Sequence, residues 1–309
     1  MTTTLTMREQ MIATVNELFA QDERLALVLA DISRDLFKET FQRYPERAFN
    51  LGIMEQTLIS VSAGLALEGF IPVVHSITPF LVERPFEQLK DDFCYQRLGG
   101  NFISTGASYD YSTEGMTHHG PGDVQILRSL PGMQIVVPGN AGEFDRLFRE
   151  AYANGSPTYY RMSVSENPIE YPVHFGKLEV IRRGNRATVI AVGPMLSHVL
   201  PAVEDLDVTV LYCTTVAPFD RARLRALCTG NDIIVVEPYY EGVLVPEINA
   251  ALEDQPVRIK SIGVPHKVIS HYGTPKQHDE ALGLTPQGIR SRIEAFLRNS
   301  STHGWFDLA

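Results

Sequence analysis

The chain has 309 residues, 44% hydrophobic and 21% charged, a composition of globular proteins and a length that favours two domains. A formal net charge of −10 argues against nucleic acid or an anionic membrane surface as partner, while a local arginine could still hold an anionic small molecule. Three cysteines without metal-type spacing (Cys94, Cys213, Cys228), a polar start (MTTTLTMREQM) and no apolar run near the roughly 20 residues that span a bilayer predict a cytoplasmic chain.

Met7, Met11, Val15, Leu18 and Phe19 recur at helical spacing. The run LALVLAD (25–31) then reads as a buried parallel strand ending in Asp31. The alternation continues through AFNLG, the helix-like MEQTLISVSAGLALEG, IPVVH and a helix-like 83–97. NFIST follows, then a long polar loop over 105–122, DVQILRSL, MQIVVP, AGEFDRLFREAYANG and PTYYRMS. Strands alternating with helices at this pitch predict an α/β fold with a mainly parallel sheet covered on both faces. A looser, proline-containing stretch is the predicted linker (166–186), separating a first domain over 1–165 from a second over 187–309. The same pattern restarts there with ATVIAVG, DVTVLY, RARLRALC, DIIVVE, VLVPEINAALE and VRIKSIGV, so the second domain is a smaller doubly wound α/β unit.

Open parallel sheets bind ligands beyond the carboxyl ends of their strands, which directs attention to Asp31, Glu55, His75 and the loop 105–122. That loop carries His118 and His119 and, at 18 residues, is too long for a plain connector. Adjacent histidines point apart on regular backbone and no H-E-x-x-H occurs, so zinc is disfavoured. No G-x-G-x-x-G follows the first strand and no P-loop is present, which disfavours a nucleotide. Glu55 stands where a strand hands over to a largely apolar helix. Such a carboxylate is either a solvated charge at the positive end of a helix or a buried acid, raised in pKa, that hydrogen-bonds a ring nitrogen. Phe80 and Phe86 in HSITPFLVERPFEQ could wall a pocket for that ring.

NLGIMEQTLISVSAGLALEGFIPV resembles the pyrimidine-binding domain of transketolase-like, thiamine-diphosphate-dependent enzymes. RPFEQ is similar to the R-A-[FY]-[ED]-Q segment of that family, and STEGMTHHGPGDVQILRSLPGMQIVVPGNAGEF to its D-G-x-T-H-Q stretch. IGVPHKVISHYGT and LGLTPQGI resemble the transketolase C-terminal domain, with similarity to the deoxyxylulose-phosphate synthase branch. The resemblance implies that Glu55 contacts the aminopyrimidine of thiamine diphosphate and that Phe80, Phe86 and Asp31 belong to the cofactor site. It implies that His118 faces the reacting carbon, and that Glu114, Arg161 and Arg84 contact the substrate, with Arg161 on a substrate phosphate. The implied reaction moves a two-carbon ketol unit from a ketose to an aldose through the cofactor ylid.

The chain departs from the family where His119 replaces a glutamine, and where Gly106 and Val164 stand in place of basic side chains. The G-D-G…N signature that binds the diphosphate and a divalent metal in this family is not found in the sequence. The resemblance therefore implies one subunit of a split transketolase. An N-terminal transketolase subunit would hold Mg2+ or Ca2+, and an α2β2 heterotetramer would place the cofactor between unlike chains. Two alternatives stay open: the β subunit of a 2-oxo acid dehydrogenase, and a non-catalytic scaffold subunit of the same fold.

Overall fold

The predicted strands are rich in β-branched residues and leucine, and in the computed structural model, which describes residues 5–298, most are buried along their whole length. The outer ends of both expected domains, residues 1–4 and 299–309, lie outside the described residues.

In the first unit the order is α1 (Met7–Gln21), β1 (Leu25–Leu29), α2 (Lys38–Arg43), β2 (Ala48–Asn50), α3 (Glu55–Leu67), β3 (Ile71–Ile77), α4 (Thr78–Val82) and α5 (Phe86–Gln88). It continues through β4 (Gly100–Thr105), α6 (Asp123–Leu127), β5 (Gln134–Val136), α7 (Ala141–Ala151) and β6 (Pro157–Arg161). The second unit runs β7 (Leu178–Arg182), β8 (Ala187–Val192), α8 (Leu196–Ala202), β9 (Val208–Cys213), β10 (Thr215–Ala217) and α9 (Arg221–Leu227). It closes with β11 (Asp232–Tyr240), α10 (Val245–Ala251), β12 (Arg258–Val264), α11 (Pro275–Leu282) and α12 (Pro286–Arg298).

The first sheet has seven strands in the order β10-β5-β6-β4-β3-β1-β2, and the second has five in the order β12-β11-β8-β9-β7. All pairings among β1 to β6 are parallel, as are β8–β9, β8–β11 and β11–β12. Both antiparallel pairings lie at sheet edges: β10 on β5 and β7 on β9. The chain thus forms the two doubly wound, mainly parallel units expected of it. Neither antiparallel strand was among the expected elements. β7 lies inside the interval predicted as linker, and β10 is contributed by the second half of the chain to the sheet of the first.

Local chemistry sets the ends of these elements. Thr6 and Glu9 form a reciprocal capping box at α1, and Thr274 and Gln277 form another at α11, where Gly283 closes the helix in the left-handed region. On α7, Phe144, Leu147, Phe148 and Ala151 make one buried stripe that packs against α1. The expected helix over 83–97 is α5 continued by a π-helical turn, Leu89–Tyr95, which carries the buried Leu89 and Phe93. No helix among the described residues is long and apolar enough to cross a membrane.

Candidate active site

The parallel order aligns the carboxyl ends of β1, β2, β3, β4 and β6 along one edge of the first sheet. At or within a few residues of these ends lie, respectively, Asp31, the turn into Glu55, Phe80, the loop 106–122 and Arg161, the last residue of β6. This edge is where an open parallel sheet presents ligand-binding groups.

Glu55 is the first residue of α3, reached through Gly52 at φ +72°, and it is 4% exposed. A helix N-terminus favours a carboxylate at that place. One oxygen, Oε1, accepts a hydrogen bond from Arg84 Nη1 at 2.8 Å. The Arg84 guanidinium lies 4.0 Å from the centre of the Phe80 ring, and Gln56 Nε2 donates to the Arg84 carbonyl. Phe80 meets His118 edge to face at 5.0 Å, and Tyr111 and His118 lie nearly perpendicular with centres 6.4 Å apart. His118 Nδ1 is 3.0 Å from the Thr117 hydroxyl. A continuous series, Glu55, Arg84, Phe80, His118 and Tyr111, therefore joins a helix start, a strand-to-helix turn and the long loop.

The remaining expected residues distribute as follows. Asp31 is exposed, adopts φ +61°, and exchanges two hydrogen bonds with Asn50: its N–H donates to Asn50 Oδ1 at 2.9 Å and its Oδ1 accepts from Asn50 Nδ2 at 2.8 Å. Glu114 is exposed at the start of the 3-10 turn Gly115–His118. Phe86 does not join Phe80; it packs against the apolar cluster that contains Leu58 and Phe93. Arg161 departs furthest from expectation. It is 1% exposed, donates from Nε to Asp123 Oδ2 at 2.7 Å and from Nη2 to the Ser108 hydroxyl at 2.7 Å, and faces the Tyr239 ring. The expected phosphate contact thus meets a guanidinium already committed to a buried ion pair at the domain junction. Arg84, expected on the substrate side, pairs with Glu55.

His118 and His119 do point apart. His119 is buried and faces His278 of α11 at 5.6 Å, and His271 stacks on His278 at 4.6 Å. Burial lowers the pKa of both His119 and His278. His75 is fully buried on β3; its Nδ1 is 2.8 Å from the Ile103 carbonyl and its Nε2 2.9 Å from the Ser33 hydroxyl. Because a carbonyl only accepts, Nδ1 carries the proton and Ser33 donates to Nε2. Burial pushes the His75 pKa down to about 4.

Sequence reasoning missed Tyr111, Asn50 and the histidines of the second unit. The glycine at 106, directly after the strand NFIST, was the available signal for Tyr111, and its φ is +80°. A Cβ there would meet Tyr111 Cε2 at 2.3 Å, so the ring fills the place a side chain would take. Among the described residues, no group of three or more His, Cys, Asp or Glu could hold a metal ion.

Comparison with known proteins matches residues 3–168 to the family described as "Transketolase, pyrimidine binding domain" and residues 176–289 to "Transketolase, C-terminal domain". The chain is 39% identical over 280 residues to an uncharacterized 33.6 kDa protein of the fasciation locus of Rhodococcoides fascians, covering 89% of this chain and 90% of that one. It is 30% identical to the 1-deoxy-D-xylulose-5-phosphate synthase of Histophilus somni and 31% identical to that of Pseudomonas aeruginosa, covering 91% and 90% of this chain. It spans 47% and 46% of those two synthases, under half of their length. Among solved structures, "Split gene transketolase, inactive beta4 tetramer" superposes with a TM-score of 0.84 at 27% identity, covering 95% of this chain and 99% of that chain.

Proposed function

The chain belongs to the transketolase family, and from that membership we propose that it is the pyrimidine-binding and C-terminal half of a split, thiamine-diphosphate-dependent transketolase. The reaction proposed is transfer of a two-carbon ketol unit from a ketose, or ketose phosphate, to an aldose. The observation that carries the reading is the buried Glu55 carboxylate at the start of α3, one contact away from the Phe80 face and in series with His118.

These residues fit the coenzyme. Glu55 offers an acceptor shielded from water, Phe80 a half-buried aromatic face, and His118 a half-buried imidazole. The chemistry the coenzyme supplies is a nucleophilic carbon and an electron sink for breaking a carbon–carbon bond. Glu55 would hold the pyrimidine ring nitrogen through a shared proton, a contact that its burial would strengthen. Phe80 would help to hold the ring as an aromatic neighbour. His118 hydrogen-bonds the donor hydroxyl and moves a proton at that oxygen. Glu114 would contact substrate hydroxyls, and the Asp31–Asn50 pair braces the ends of β1 and β2.

Two observations support a partner chain. A solved split-gene transketolase chain matches it over nearly the full length of both chains. Ile53 and Met54, immediately before Glu55, are 68% and 55% exposed, an apolar flank suited to cover by another subunit. In the proposed assembly an N-terminal subunit holds the diphosphate and Mg2+ or Ca2+, and two copies of each chain form an α2β2 heterotetramer in the cytoplasm. The solved β4 tetramer is described as inactive, and the same is expected of this chain alone.

Two results test the reading. The purified single chain should show no ketol transfer, and the complex with its companion subunit should show it. In that complex Glu55→Gln should lower kcat by at least 100-fold. Unchanged turnover in the Glu55→Gln complex would favour a non-catalytic chain, and acyl transfer to a lipoyl domain would favour the 2-oxo acid dehydrogenase alternative.

A further inference from the structure

Arg84 holds two surfaces at once, and they are the two that the proposed ring requires. Its Nη1 donates to Glu55 Oε1 at 2.8 Å, while the Cζ of the same guanidinium lies over the Phe80 ring, 4.0 Å from its centre. A guanidinium is flat, delocalised and edged with N–H donors, so it satisfies a carboxylate at its edge and an aromatic ring at its face. An aminopyrimidine is likewise flat and edged with nitrogen. We propose that Arg84 is a gate on the cofactor seat, competing with the incoming heterocycle for Glu55 and Phe80. This inference rests on the coenzyme reading above.

The surroundings suit a side chain that leaves while its backbone stays. The Arg84 carbonyl accepts from Gln56 Nε2 on α3, and its N–H donates to the Pro79 carbonyl at 3.3 Å, so the main chain is tied at two points. The side chain itself is 46% exposed, against 5% for that of Glu55. An arginine at such a margin keeps a rotamer path to water, and the exposed Glu83 and Glu87 flank it in sequence as alternative carboxylate partners. Glu55 has no comparable freedom, being held at the first turn of α3 in a buried place. Release of Arg84 therefore costs the arginine little and leaves Glu55 in need of a new donor, which a ring nitrogen bearing a shared proton provides. The gate thus couples ring entry to the satisfaction of a buried carboxylate, and it keeps that carboxylate paired otherwise.

The test uses the full chain and thiamine as probe, with binding read by saturation-transfer NMR, which detects millimolar affinity. Arg84→Ala frees both surfaces and should bind thiamine about 10-fold tighter than the parent chain, the order expected from losing a half-exposed ion pair together with a cation–π contact. Arg84→Lys keeps the charge but loses the planar fork and should fall between the two. Arg84→Ala with Glu55→Gln should lose the gain. Because Arg84→Ala leaves the buried Glu55 unpaired, the fold of each variant is checked by circular dichroism before binding is read. Equal or weaker binding by Arg84→Ala would overturn the gate, since Arg84 would then be neutral or a direct ligand. If the gain persists with Glu55→Gln, Arg84 gates a site that does not use Glu55, and the proposal falls while thiamine binding stands. Binding by no variant at millimolar thiamine would overturn the coenzyme reading and the gate with it.

Discussion

Gly106 shows how one missing side chain reorganises its neighbours. Its φ of +80° lies where only glycine is relaxed, and the Tyr111 ring occupies the space a Cβ would claim. That ring also flanks His118, so the position that departs from the family pattern is linked through Tyr111 to the proposed proton-moving group. Gly106→Ala should destabilise the chain by about 2 kcal/mol through backbone strain and overlap. Adding Tyr111→Ala should recover the overlap part and leave the backbone part, a difference read from thermal unfolding of the two variants. At this scale the sequence was informative about chemistry and poor on pairing. Glu55, Phe80 and His118 were visible because each follows a strand end. The ion pairs Arg84–Glu55 and Arg161–Asp123 were not, because the partners stand 29 and 38 residues apart and no local pattern links them.

Strand β3 is tied to its surroundings by a buried histidine. His75 bridges the Ile103 carbonyl of β4 and Ser33, whose hydroxyl also accepts from Arg8 Nε of α1 at 3.0 Å. Arg8 adds its charge to burial in lowering the pKa. The unfolded chain takes up this proton near pH 6.5 and the folded chain only near pH 4, so the stabilisation is present above 6.5 and is lost as the pH falls through that window. The loss amounts to roughly 3 kcal/mol at its full extent. Denaturant unfolding at pH 6.5 and pH 4 should show that part of the decline shrinking in His75→Gln. Most core strands of the sheets were legible in the sequence because burial on both faces gives continuous apolar runs. The edge strands were not. β7 reads LEVIR, with charges at Glu179 and Arg182 and four of its five residues only partly buried, and β10 is three residues long and takes its place in a sheet built by another part of the chain.

The two units act as one body at their junction. Arg161 of β6 pairs with Asp123 of α6, and its Nη2 also reaches the Ser108 hydroxyl, which donates to the Pro238 carbonyl of β11. Asp123 accepts a second hydrogen bond from the Tyr159 hydroxyl at 2.8 Å. Tyr109 donates to Asp279 of α11, and the Tyr212 hydroxyl of β9 donates to the buried Glu143 of α7 at 2.6 Å. Removing one member of a buried ion pair leaves the other uncompensated, so Asp123→Ala should lower stability by about 3–5 kcal/mol. Scanning calorimetry should show one cooperative transition for the parent chain, displaced as a whole in the variant, because the affected guanidinium serves both units. Two separated transitions would show that the junction does not couple them.

The edge pairing of β10 on β5 has a consequence for anyone who would cut or shuffle this gene. Residues 215–217 seal a margin of a sheet whose other strands are complete by residue 161. A fragment ending at the natural-looking boundary near residue 165 would leave the backbone groups of β5 open to any passing strand, and clumping in the test tube is its expected fate. On the ribosome the same margin stays unguarded until some fifty further residues have emerged.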